Sequence, residues 1–249
     1  MYFDSENGTI TLLLFEFALA ISLFYLSGKQ PFPEPSRRFS FIILFIASVM
    51  AIGQTAPNPV EIQFHLALIA GIGSFGLIAG VYHLGITRRD VLIAPFSGAI
   101  FSVSVAALMA TYWGDLTKFE QFSGFFAIVV IAGGQTWLVF RGLLIGKLPL
   151  AWSQAGMVAL QRGKLHGSHG AIACFEKGWD IEEEHLNPMA YLALERIFVF
   201  LEEEEKASYW RDALLDAGGE KGVAPEFIEA VEKSLEKISP RNNSVMESE

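Results

Sequence analysis

The chain is short of cysteine, of cationic side chains and of charge in general. One cysteine, Cys174, in 249 residues excludes an intrachain disulfide framework and any all-cysteine zinc site. Lys and Arg number 18 against 27 Asp and Glu, a formal net charge of -9, which excludes a nucleic-acid binder that relies on a basic surface. Charged residues make up only 18% of the chain and hydrophobic ones 52%, too apolar for a disordered acidic protein and for a single ordinary soluble core. Lysine is missing from every long apolar stretch, so no retinal-type Schiff base can form inside one.

What charge there is divides the chain. Residues 1–147 hold 8 basic and 8 acidic residues, and the rest hold 10 and 19, so the first part is neutral and the second carries the whole of the -9. Two parts facing different solvents are implied. The expectation is an all-α protein: a membrane helix bundle over 1–147, an acidic helical domain over 148–240 and a disordered tail over 241–249.

Five apolar stretches lie in the first part, at about 10–27, 40–55, 62–86, 91–113 and 122–140. Most reach the ~20 residues a helix needs to cross about 30 Å of hydrocarbon. The second is shorter, roughly 24 Å at 1.5 Å per residue, so it either spans with local thinning or is a re-entrant element inside the bundle; spanning is favoured because the charges on the connections then fall into register. Alternate connections carry seven of the eight basic residues: Lys29, Arg37 and Arg38, then Arg88 and Arg89, then Arg141 and Lys147. The positive-inside rule then gives five spans with the N-terminus outside and the C-terminus in the cytosol of a plasma membrane. The opening MYFDSEN has no basic n-region, so the first span is expected to be a retained anchor.

Glu16 is the only carboxylate well inside a stretch, which makes it a functional candidate by default. Its nearest polar candidates by depth are His65, Gln54 and Gln63, and a Glu16–His65 hydrogen bond would suit proton or cation handling. His65 and His83 share a helix face about 27 Å apart, but no other stretch offers a histidine to complete a haem site, and no cofactor is expected. Gly73, Gly76 and Gly80 make a stripe of small residues suited to close helix packing inside the bundle.

From Leu150 onward the hydrophobic residues recur at helical spacing, over 150–163, 169–181, 188–205 with a break near 202, 206–216 and 224–238. Asn187-Pro188 and Pro225 mark helix starts, and Gly218-Gly219 a stop. In the last helix Phe227, Ile228, Val231, Leu235 and Ile238 form one apolar face, expected to dock on the rest of the domain. His166, His169, His185 and Cys174 lack the paired spacing of a metal site.

Trp152, Ala155, Gly156 and Ala159 stand in the order W-x2-L-G-x2-Y, and Ala171-x3-Phe175 with Gly178 in the order of a second-helix A-x3-F and small position. Trp210 and Ala213 follow Phe175 and Gly178 by 35 residues. On these positions residues 150–216 resemble the tetratricopeptide repeats, with small residues in place of the family's Leu and Tyr, three extra residues around Leu165–Ser168, and Lys206 where a small residue belongs. The resemblance implies a packed array of helix hairpins used for binding protein, with no catalytic residues to carry over.

No nucleophile–base pair survives the spacing either: Ser74 lies nine residues from both His65 and His83, half-way around the helix. The function expected is therefore a non-enzymatic adaptor or accessory subunit of a membrane complex. Its partners would be the lipid bilayer and other protein subunits, with no nucleic acid. The alternative is a transporter or channel subunit with Glu16 as an ion or proton site.

Overall fold

The computed structural model describes residues 6–87, 89–144, 148–179 and 187–239. Arg88, Lys147, Glu182–Glu184, His185 and the tail 241–249 lie outside them. Among the described residues there are ten α-helices, one π-turn and one 3-10 turn, and no strand. The chain divides into two compact units, Met1–Ile145 and Gly146–Glu249, close to the division in charge.

The first unit holds α1 (Glu6–Ser27), α2 (Glu34–Gly53), α3 (Ile62–Tyr82, prolonged by a π-turn over His83–Thr87), α4 (Ile93–Tyr112) and α5 (Lys118–Leu144). Four segments, Gly8–Ser27, Glu34–Gly53, Ile62–Thr87 and Ile93–Tyr112, are long and apolar enough to cross a membrane. The second differs from the sequence expectation: α2 begins at Glu34 and takes in Arg37 and Arg38, because Pro35 sits in the first turn where its fixed φ suits a helix and its missing N–H costs nothing. At 20 residues it is about 30 Å long and needs no thinning of the bilayer.

The helices pair chiefly as α1 with α2 and α3 with α4, while α5 packs on α4. The α3–α4 pair is close because the glycine stripe faces it. A Cβ on Gly73 would stand 2.8 Å from the Phe101 nitrogen, and one on Gly80 would stand 2.6 Å from the Ala94 Cα. A Cβ on Gly76 would meet the Phe39 ring of α2 at 2.5 Å, so the middle glycine also seats the neighbouring hairpin. Large apolar side chains such as Phe41, Phe45, Phe75 and Phe122 point outward, a pattern that would aggregate in water and is neutral against hydrocarbon. At the start of α5, Thr117 Oγ1 accepts from the Glu120 N–H, and the Glu120 carboxylate accepts from the Thr117 N–H at 2.8 Å, a reciprocal capping box.

The second unit is built from α6 (Leu148–Gln161), α7 (Ala171–Trp179), α8 (Pro188–Phe200), α9 (Glu204–Asp216) and α10 (Pro225–Ile238). The pairs α6–α7 and α8–α9 form hairpins, α7 packs on α8, and α10 packs on α8 and α6. The break near 202 falls over Leu201–Glu203, with Glu202 in the left-handed region at φ 61°. Asn187 caps α8 by accepting from the Ala190 N–H at 3.2 Å. Leu160, Phe175, Leu192, Leu194, Ile197 and Val231 are sealed from solvent, and the expected apolar face of α10 lies against this core.

Candidate functional site

Glu16 lies ten residues into α1, roughly 15 Å along the helix and deeper than a helix starting at Ile10 would put it. Its side chain is 1% exposed. His65, wholly buried near the start of α3, brings Nε2 to 2.8 Å from Glu16 Oε1. The two are close in distance but not aligned as a hydrogen bond, and both carboxylate oxygens and both ring nitrogens lack an aligned partner among the described residues. Beside the carboxyl, Ile43, Ile46, Ile69, Ile72 and Ile100 complete the wall of a cavity of about 10 Å³, room for about one water molecule.

Of the other sequence candidates, neither glutamine joins the pair. Gln54 follows the end of α2 and donates its side-chain N–H to the Val60 carbonyl at 3.1 Å, closing the α2–α3 connection. Gln63 is half-buried two residues before His65, about 200° around the helix and so on another face. His83 lies at the far end of α3, with Nδ1 3.1 Å from the Thr87 hydroxyl inside the π-turn. The glycines of the candidate stripe are occupied by helix packing, as described above.

A second buried polar cluster, invisible to spacing arguments, sits where the α1–α2 and α3–α4 connections meet. Gln30, Ser36 and Asp90 are all buried. The Ser36 hydroxyl donates to Asp90 Oδ2, and the Gln30 amide donates to Ser36 at 2.7 Å and to Asp90 at 3.1 Å. Asp90 Oδ1 in turn accepts from the N–H groups of Leu92 and Ile93 at 2.9 and 2.8 Å, which starts α4. Around this knot Arg37 stands over Phe24, Arg89 over Phe32 and Lys29 over Tyr25, at 5.6, 5.6 and 4.9 Å. The cap on α4 is legible from Asp90 before Pro95; Gln30 and Ser36 carry no signal, because only the meeting of two connections gives them a role.

In the second unit the tetratricopeptide-like positions fall into two groups. On the α6–α7 hairpin Trp152, Ala171, Phe175 and Gly178 are buried, and a Cβ on Gly156 would stand 2.9 Å from the Phe175 ring. Trp152 lies under Lys177 at 4.5 Å and beside His169 at 6.2 Å. On the α8–α9 hairpin Trp210 stacks on Tyr191 at 5.9 Å, and Ala213 is half-buried against the same core. Cys174 is 1% exposed, and burial pushes its thiol up, with Lys177 and Lys164 pulling the other way.

The apolar run of α8 is interrupted by Glu195 and Arg196, and of the two Glu195 is buried, 3% exposed. Its carboxylate accepts from Arg196 at 2.8 Å and from Arg211 of α9 at 3.2 Å. Arg196 also reaches Glu220, and Arg211 reaches Glu204 at 3.4 Å. The network joins the α8–α9 hairpin to the turn before α10, and the signal for it was a carboxylate inside a hydrophobic helix.

No protein-family model, no curated protein and no solved structure matches the chain.

Proposed function

We propose that the protein is a five-span plasma-membrane adaptor, or accessory subunit of a membrane complex, that presents an acidic helical docking domain to the cytosol. The observation that carries this reading is the division into an apolar helical unit and a separately cored helical unit that bears the net negative charge. Within the second unit, paired helix hairpins with small residues under aromatic rings supply the rigid, modular surface that protein-binding helical repeats use.

Orientation follows from the charges. Contact between the α1–α2 and α3–α4 connections puts Lys29, Arg37 and Arg89 at one end of the bundle, whereas Glu61 and Asp115 belong to the connections at the other. The basic end is the cytosolic one under the positive-inside rule. Counting the 27-residue α5 as the fifth span returns the chain to that end before the second unit begins.

The same geometry disfavours transport. The walls beside Glu16 are isoleucines, and a cavity for a single water makes no pathway, since conduction needs several polar stations in sequence. The buried Ser36–Asp90 contact is spent on starting α4, and no enzymatic activity is part of the proposal.

The test is purification of the full chain from its native membrane in mild detergent, beside a variant with Glu229, Glu232 and Glu236 changed to Lys. The adaptor reading expects a partner in fixed stoichiometry that is lost from the variant while both chains remain folded. A chain that purifies alone and carries a solute flux in vesicles overturns it.

A further inference from the structure

The Glu16–His65 pair joins two hairpins inside the first unit, and it serves no step of the docking role. Four features bear on what it binds. The two groups come from different hairpins, α1 of one and α3 of the other, and stand 2.8 Å apart. Both are sealed from solvent. Neither has an aligned hydrogen bond, so Glu16 Oε2 and His65 Nδ1 are both unspent. The adjoining cavity is about 10 Å³ and its other walls are isoleucine.

Those features select the ligand. A sodium, calcium or magnesium ion needs about six or more oxygen ligands, and this site offers the two of one carboxyl. A zinc ion wants three or four N, S or O donors, and Glu16 and His65 supply two. An organic solute does not fit a space for one water. A proton does: transferring it between the carboxyl and the imidazole leaves the pair neutral in either arrangement, whether carboxylic acid with imidazole or carboxylate with imidazolium. Neutrality matters here, because an uncompensated charge in hydrocarbon costs several kcal/mol.

We propose that Glu16 and His65 form an intramembrane proton-binding site that holds a single shared proton. This does not rest on the adaptor reading. The site stores the proton and does not pass it on, since the other residues lining the cavity are isoleucines, which can neither accept nor donate one. No other titratable side chain faces the pair among the described residues: α2 presents Ile43 and Ile46 and α4 presents Ile100, while Glu61, one turn before His65, is exposed at the helix start.

A structural consequence follows from where the pair sits. The hairpins α1–α2 and α3–α4 pack far more extensively within themselves than against each other. The pair is therefore a clasp between them, at a distance from the Gln30–Ser36–Asp90 knot. Adding a second proton leaves a buried positive charge and removing the first leaves a buried negative one, so the bundle is tightest where the pair holds one.

The experiment uses the full chain in phosphatidylcholine nanodiscs, with infrared difference spectra and thermal unfolding recorded across about pH 4 to 9, the range of ordinary carboxyl and imidazole titration. The expected result is a buried carboxyl band and an imidazole band that change together at common midpoints, with the carboxyl band lost in Glu16→Gln. His65→Asn should keep the carboxyl band and lose the coupled imidazole signal. The thermal midpoint of the wild type should fall on both sides of a maximum, and the double variant Glu16→Gln/His65→Asn should lose that component of the pH dependence. A carboxyl and an imidazole that titrate independently, or wild-type spectra with no buried carboxyl change at any pH, overturn the proposal. The wild-type spectra decide this alone if the variants fail to fold.

Discussion

Gly156 tests the packing of the second unit most directly. A Cβ there would stand 2.9 Å from two atoms of the Phe175 ring, closer than real Cβ contacts come, and that ring is fully buried. Gly156→Val puts three carbons into this space. Replacing glycine inside a helix by valine recovers only part of the roughly 1 kcal/mol that glycine costs. Overpacking a filled core costs about 1–3 kcal/mol, so the clash wins and the net loss is about 1–2 kcal/mol.

The single cysteine makes this measurable in the intact protein. Cys174 is on α7 beside Phe175 and is 1% exposed, and burial raises its thiol, so alkylation proceeds only when the hairpin opens. A loss of 1–2 kcal/mol should then speed maleimide labelling of full-length protein in membranes roughly 5- to 30-fold. Trimming the obstructing ring should restore part of it: Gly156→Val combined with Phe175→Leu should label more slowly than two independent losses imply, a coupling of about 0.5 kcal/mol or more. Unchanged labelling in Gly156→Val, or strictly additive effects, would refute the contact between this glycine and that ring.

Three further outcomes are expected. In a Cys174→Ala background, cysteines at Asn58 and Lys118 should label from outside intact cells and one at Glu34 should not; Glu34 is used because it is exposed, whereas Ser36 is buried against Asp90. External labelling at Glu34 would contradict the orientation. Asp90→Ala removes the acceptor of four hydrogen bonds, two of them at the start of α4, and should lower stability by at least about 2 kcal/mol, read as a lower thermal midpoint in detergent. Glu195→Ala leaves two partly exposed arginines without their shared partner and should lower the stability of the second unit, read as accelerated Cys174 labelling.

The sequence alone determined what depended on composition and local chemistry. Apolar runs separated by charged connections sufficed to locate helices that can span a membrane, because backbone groups in hydrocarbon have no alternative to helical pairing. Proline, asparagine and glycine marked the starts and stops of α8, α9 and α10 to within a few residues, since each acts on its immediate neighbours. The start of α2 was misjudged for the complementary reason. Pro33, Pro35, Arg37 and Arg38 look like a loop by polarity, yet proline in a first turn and long basic side chains at a membrane edge both suit a helix.

Tertiary structure decided which distant residues meet. Glu16 could be flagged by its rarity, but His65, Gln54 and Gln63 were equal candidates by depth. Only the rotation of α3 against α1 brings the histidine to 2.8 Å and leaves one glutamine on a connection and the other on a different face. Gln30 and Ser36 are unremarkable in sequence and acquire a role because two connections converge on Asp90. Helix periodicity fixes which side chains share a face, whereas the azimuth and axial offset between helices depend on how all the faces interlock, and no local pattern encodes that.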